Sequence, residues 1–312
     1  RNSRAANEGL FRSRRYVEGW LINADPKSGL IPENLQDGRD HWNGRNAAAD
    51  NYAFLVLTCA LTDRALFEGR MRDMLRAETE LTQRLARLGD AYQFSTQRFE
   101  FAQVDLDRLI FDNAEYVKDG LIPLTEWLGP SPWSERMVAL VEDIWKNAPI
   151  ETPFGKIPTL NFEVNGDLLQ ANSRLYWFTG DRKFLDWAIR LGDYYLLGAN
   201  HPTRNRNELC LQDHGGEVIN GLTELYVVVS HVNPAKKNAY EQPLREIFDN
   251  ILAIGRNADG MLYSSYNPQT GANSGKLCDT WGYIYDGFLT MSLLDDLPAY
   301  RGAVAHGLNN LL

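Results

Sequence analysis

Apolar residues recur along this chain at helical spacing, and the period-two alternation of strands is almost absent. In residues 8–22, Leu10, Phe11, Val17, Trp20 and Leu21 share one broad face, and Asp25, Pro26 and Gly29 then break the chain. A second helix, predicted over 47–61, is apolar nearly all round, which marks it as interior. Its successor, 65–88, is rich in Arg and Glu and reads as solvent-facing. The same alternation returns: 106–122, 166–178, 217–232 and 279–294 read as interior helices. Residues 134–147, 182–197, 235–254 and 299–312 read as exterior ones.

The joints repeat as well. Thr62 and Asp63 precede one outer helix, and Thr179, Gly180 and Asp181 precede another, with a short oxygen side chain placed to cap unpaired N–H groups. Returns from outer to inner helix are longer, as in 200–216 and 258–276. Short turns at one end and long loops at the other suit an all-α toroid of helical hairpins, with a site on one rim and a period of about 50 residues. About five and a half hairpins can be counted, so residues 1–312 are expected to form a single (α/α)-barrel domain that is incomplete at its C-terminal end. Two alternatives stay open. Residues 152–163, which read as a loop or β-hairpin, would hold a further helix, or the hairpins would stack as an open solenoid.

Composition narrows the function. Against 32 Lys and Arg stand 41 Asp and Glu, a formal net charge of -9, so nucleic acid is not an expected partner. No run approaches 18 apolar residues, so no membrane span is expected. Cys59, Cys210 and Cys278 are too few and too scattered for a disulfide framework, and no metal-ligand spacing is present. No dinucleotide or P-loop glycine motif appears, so no cofactor is expected. A first residue other than Met is what a processed leader or an internal start leaves, and the expectation is a periplasmic or secreted chain.

The segment from Leu175 through Thr179, Gly180 and Asp181 to Arg190 resembles the inner-helix, Thr-Gly-Asp, outer-helix joint of six-hairpin (α/α)6 glycosidases. That group includes unsaturated uronyl hydrolases, related glucuronidases and the toroid domains of polysaccharide lyases. The resemblance implies an active cleft where the long loops enter the interior helices.

Residues at those helix heads supply the candidates. Asp213, His214, Gly215, Gly216 and Glu217 join two carboxylates and an imidazole before an apolar helix, with Asp213 and Glu217 four apart on one predicted face. Asp279 heads a second helix beside Trp281 and Tyr283, whose rings suit the C–H face of a sugar. His41, Trp42, Asn43 and Arg45 lead into a third, where Asn51 sits among apolar neighbours and needs a ligand or a neighbouring helix as partner. Arg204 and Arg206 could grip a substrate carboxylate. Glu115, Tyr116, Glu163, Asn165 and Asp167 are smaller hints at further helix heads. The expectation is therefore a glycoside hydrolase acting on an oligosaccharide or polysaccharide that carries a uronate, with Asp213 and Asp279 as acid/base pair and Glu217 next. The other substrate contacts would come from His41, Trp42, Asn43, Arg45, Asn51, Arg204, Arg206, His214, Trp281 and Tyr283. A polysaccharide lyase with His214 or a tyrosine as base, a sugar epimerase, and a non-catalytic carbohydrate-binding scaffold are the alternatives.

Overall fold

A computed structural model describes residues 2–311 and is 64% helical. The chain divides into two compact units, residues 1–147 and 148–312.

The N-terminal unit opens with α1 (Asn2–Ile22) and the short strand β1 (His41–Trp42). A π-helical stretch, Gly44–Tyr52, then runs straight into α2 (Ala53–Thr62). Asn43 starts it by accepting the N–H groups of Asn46 and Ala47. Asp63 performs the capping expected of it, accepting Leu66 N–H at 3.0 Å, and begins α3 (Arg64–Leu66). A π-turn follows, and then α4 (Arg72–Thr82).

Here the structure corrects the sequence reading. The outer helix expected to reach residue 88 stops at Thr82, and β2 (Gln83–Leu85) and β3 (Leu88–Gly89) form a bulged hairpin. Ala86 sits at a left-handed φ of 51°, which no helix accommodates. The strand β4 (Tyr92–Gln93) then pairs with both β1 and β5 (Arg98–Phe99). α5 (Leu106–Glu115), a π-stretch over Tyr116–Leu121, α6 (Ile122–Leu128) and α7 (Pro132–Lys146) complete the unit. Its core holds Trp133, whose indole N–H donates to Tyr52 at 2.8 Å, and the buried ion pair of Glu78 with Arg136.

The C-terminal unit begins with a single antiparallel bridge, Ile150 to Ile157, whose second residue falls in the stretch 152–163 read as loop or hairpin. Asn161 caps α8 (Phe162–Thr179), and Gly180 ends it at φ 71°, the left-handed position that glycine fills without a Cβ penalty. Asp181 then caps α9 (Arg182–Gly192), which ends in a π-turn. After β6 (Leu209–Cys210), one 3-10 turn, Asp213–Gly216, leads into α10 (Glu217–Val232). Asn233 and Pro234 close that helix and start α11 (Pro234–Ile254). β7 (Ser265–Tyr266) pairs with β6, and α12 (Gly282–Leu294) and α13 (Pro298–Asn309) finish the chain. α12 begins three residues later than expected, which leaves Asp279 in the preceding loop.

α8 and α10 meet backbone to backbone. A Cβ on Gly166 would lie 2.3 Å from the carbonyl carbon of Glu217, and one on Gly221 would lie 2.7 Å from the Gly166 oxygen. Gly166→Ala is therefore expected to destabilise the protein by about 1–3 kcal/mol through overpacking. Urea unfolding of the variant checks this; an unchanged midpoint would mean the helices can part at no cost.

All three cysteines are thiols. Among the described residues, no helix is long and apolar enough to cross a membrane.

Candidate active site

In the C-terminal unit the site grows from the first turn of α8 and the 3-10 turn before α10. Glu163 lies in that first turn, and its Oε1 is 2.9 Å from His214 Nδ1. The other ring nitrogen, Nε2, stands 3.4 Å from Asp213 Oδ1. The imidazole is thus held between two carboxylates. Asp213 takes a left-handed φ of 47°, which turns the chain sharply at this point. Its backbone N–H donates to Thr280 Oγ1, and Cys278 Sγ lies 3.2 Å from the Leu211 oxygen. These contacts bring the Asp213 and Asp279 loops together.

Asp213 and Glu217, however, do not share one helical face. The 3-10 turn leaves the Asp213 side chain 67% exposed, whereas Glu217 is buried and accepts the Gln170 amide. Behind it, Asn220 donates to Gln170 and to Glu224, and Arg174 holds Glu224 through two nitrogens at 2.8 and 2.6 Å.

A cavity of about 340 Å³, within the range of small-molecule sites, is lined by Asn161, Phe162, Glu163, Arg206, Glu208, Cys210 and His214. The Arg206 guanidinium lies 4.2 Å over the Phe162 ring at this wall. Arg204 does not join it. Its guanidinium pairs with Glu246 at 2.7 Å on the exposed surface. Tyr283 packs where a Cβ on Gly216 would meet it at 3.4 Å, and Trp281 tilts against Tyr285 at the head of α12.

The N-terminal unit gathers a second polar cluster. His41 Nε2 stands 2.5 Å from Glu33 Oε2, and the Asn46 amide donates to the other Glu33 oxygen. Asp40 accepts the hydroxyl and N–H of Ser95, which hold its carboxyl below the usual range. Trp42 is a core residue, edge-on to Tyr52, rather than an open stacking face. Asn43 spends its side-chain oxygen on the helix cap. Asn51 finds its partner in a neighbouring helix, accepting the Tyr16 hydroxyl at 2.7 Å.

Arg45 lies 3.8 Å from Asp112, a buried carboxylate on α5. Burial pushes the Asp112 carboxyl up to about 6, against the opposing pull of Arg45 and Arg108. Glu33 gave no signal in the sequence, because it sits in an irregular loop with no spacing to His41 that chemistry would dictate. Glu163 was visible only as a hint at a helix head.

No family model matches the chain, and no curated protein matches it in sequence. Solved structures do. A cellobiose 2-epimerase from Bacillus thermoamylovorans B4167 is 14% identical, with a TM-score of 0.57 over 97% of this chain and 87% of that one. A D-mannose isomerase is 11% identical, with a TM-score of 0.59 over 97% and 85%. A β-arabinofuranosidase is 13% identical, with a TM-score of 0.52 over 94% of this chain and 48% of that one. The fold is accordingly the all-α, (α/α)6 toroid class to which these carbohydrate-processing enzymes belong. Identities this low establish fold and nothing finer.

Asp112 gives a pH signature. Its carboxyl binds a proton more tightly in the folded chain, at about 6, than at the ordinary value of 3.8. The contribution of Asp112 to stability is therefore expected to fall as pH rises from about 4 to about 6 and then to level off. Asp112→Asn should flatten that slope and gain up to about 3 kcal/mol relative to wild type at pH 7. Urea unfolding at pH 4, 5, 6 and 7 measures this, and equal slopes in both proteins would rule Asp112 out as the titrating group.

Proposed function

We propose that this chain is a sugar-processing enzyme that transfers a proton at carbon, an epimerase or isomerase of a reducing sugar, with His214 as acid/base. The observation that carries it is the imidazole of His214 held between Glu163 and Asp213 at the wall of a cavity of sugar size. Glu163, at 2.9 Å from Nδ1, orients the ring, and Nε2 serves as the base once its proton has passed to the exposed Asp213 carboxylate 3.4 Å away or to solvent. His214 would remove the hydrogen from the carbon next to the sugar carbonyl, leaving an enediolate. Reprotonation of that carbon from its opposite face by solvent gives the epimer, and protonation of the former carbonyl carbon by His214, with the hydroxyl proton passing from O2 to O1, gives the ketose. The likeness to an epimerase and an isomerase supports this choice of reaction.

Arg206, in the same cavity, favours a substrate that also carries a carboxylate, since a guanidinium on an aromatic face meets a carboxylate with two parallel N–H groups. On a uronate polymer the same base would eliminate the leaving group instead, as a lyase does.

Glycoside hydrolysis is the second reading. It is favoured by the contacts that join the Asp213 and Asp279 loops, and by the likeness to a β-arabinofuranosidase. Two carboxyl groups facing each other across a glycosidic bond would then carry the reaction. In the C-terminal unit, by contrast, Glu163 and Asp213 converge on one imidazole.

Proton NMR in D2O separates these outcomes. Cellobiose, mannose and galacturonate are offered as free sugars, and an aryl glucuronide and tri-galacturonate as glycosides. Deuterium is expected to replace the proton at C2 of a free sugar, with the new isomer appearing alongside. His214→Asn should slow this by about 10²–10⁴-fold. Cleavage of a glycoside with no exchange at carbon would overturn the proposal in favour of hydrolysis, and an ultraviolet-absorbing unsaturated product would identify a lyase.

A further inference from the structure

The N-terminal unit carries a groove of about 780 Å³ along the end of α4 and the β4–β5 hairpin, with Arg84, Tyr92, Arg98, Phe99, Glu100 and Phe101 among its walls. One of its lining residues, Arg84, belongs to a buried charge cluster. The Asp90 side chain is wholly buried and pairs with Arg108 at 2.9 Å and Arg84 at 3.5 Å. Arg84 donates to the backbone oxygens of Phe101 and Ala102 at 2.8 Å each, and its guanidinium lies 4.3 Å from the centre of the Phe99 ring. The Arg108 guanidinium lies 3.6 Å from the centre of the Phe101 ring.

Taking a carboxylate and two guanidiniums out of water is costly, and apolar residues of similar volume would stabilise a surface hairpin at least as well. What the three charges provide is position. They fix both rings from one side and leave Phe101 40% exposed.

We propose that this groove binds a neutral oligosaccharide. A ring held rigid at the surface offers a flat face to the C–H side of a pyranose at little entropic cost. Carboxylates at Glu80 and Glu100 accept from hydroxyl groups, and Arg98 and Gln97 donate to them. The lining is balanced, Arg84 and Arg98 against Glu80 and Glu100, so it selects neither a polyanion nor a polycation. β4 also pairs with β1, placing the groove in the same small sheet as His41. Binding here does not depend on catalysis at His214, so it stands or falls separately from the proton-transfer reading.

The test uses the whole chain carrying His214→Asn, to prevent turnover, with cellotriose, xylotriose and mannotriose as neutral probes and tri-galacturonate as the anionic one. Calorimetric titration is expected to show binding of at least one neutral trisaccharide. Phe101→Ala should weaken it about ten-fold or more and Phe101→Tyr should preserve it. Circular dichroism melts confirm that each variant is folded. Neutral trisaccharides that fail to bind, that bind the Phe101→Ala variant equally well, or that are bypassed in favour of tri-galacturonate would each overturn the proposal.

Discussion

Direct contact between helix backbones is the constraint on which the candidate site rests. Where α8 crosses α10, Gly166 and Gly221 remove the layer of side chains that normally separates two helices. The polar residues on the facing surfaces then meet one another rather than a cushion of leucines. Gln170 reaches Glu217, and Asn220 reaches Gln170, only because the two backbones are this close. The first turn of α8 is likewise drawn against the turn before α10, which sets Glu163 beside His214. The N-terminal unit uses the same device. A Cβ on Gly44 would strike the Asp112 oxygen at 2.5 Å, so glycine is what lets the π-helical stretch start against α5 and brings Arg45 to Asp112.

Much of this architecture was legible in the sequence because helix periodicity and capping are local properties. Asp63 and Asp181 sit where the Thr-Asp joints placed them, and the stretch 152–163 is loop as read, with one bridge at Ile157, up to Asn161, after which α8 takes its last two residues. What could not be read depends on contacts between distant residues or on departures from ideal winding. The 3-10 turn at Asp213 breaks the four-residue spacing that would have aligned it with Glu217, and nothing in the composition of that turn signals the change. The π-helical winding of residues 44–52 is equally silent, since it leaves the apolar pattern nearly intact. The hairpin at 83–89 hid inside a charged run because Arg84 and Arg87, which look like solvent-facing helix residues, are committed to Phe101, Ala102 and Asp143. Glu33 and Asp112 acquire their interest only from where the fold puts His41 and Arg45.

The distribution of charge separates scaffold from chemistry. Glu78 with Arg136 and Asp143 with Arg87 are each saturated by a guanidinium, and a carboxylate so bound has little left to offer a substrate. Arg204 is spent in the same way on Glu246, which is why only Arg206 of the two loop arginines reaches a cavity wall. His214 differs in kind. Glu163 at 2.9 Å orients the ring through Nδ1, and proton exchange falls to Nε2, which lies 3.4 Å from the exposed Asp213 carboxylate.

The amide row behind Glu217 sharpens that distinction. Gln170 and Asn220 link Glu217 to Glu224 and so to Arg174, forming a run of hydrogen bonds along α8 and α10 that is buried at Glu217 and half-buried at Arg174. Amides carry no proton readily, so such a row fixes side-chain rotamers instead of conducting charge. A network of this kind rewards a single arrangement of the two helices, because a partly broken one leaves buried polar groups to be desolvated without partners. The glycine contact draws the helices together and the amide row sets their register. The geometry at His214 follows from both, since Glu163 and the turn bearing the imidazole have no freedom to drift apart while the row stays closed.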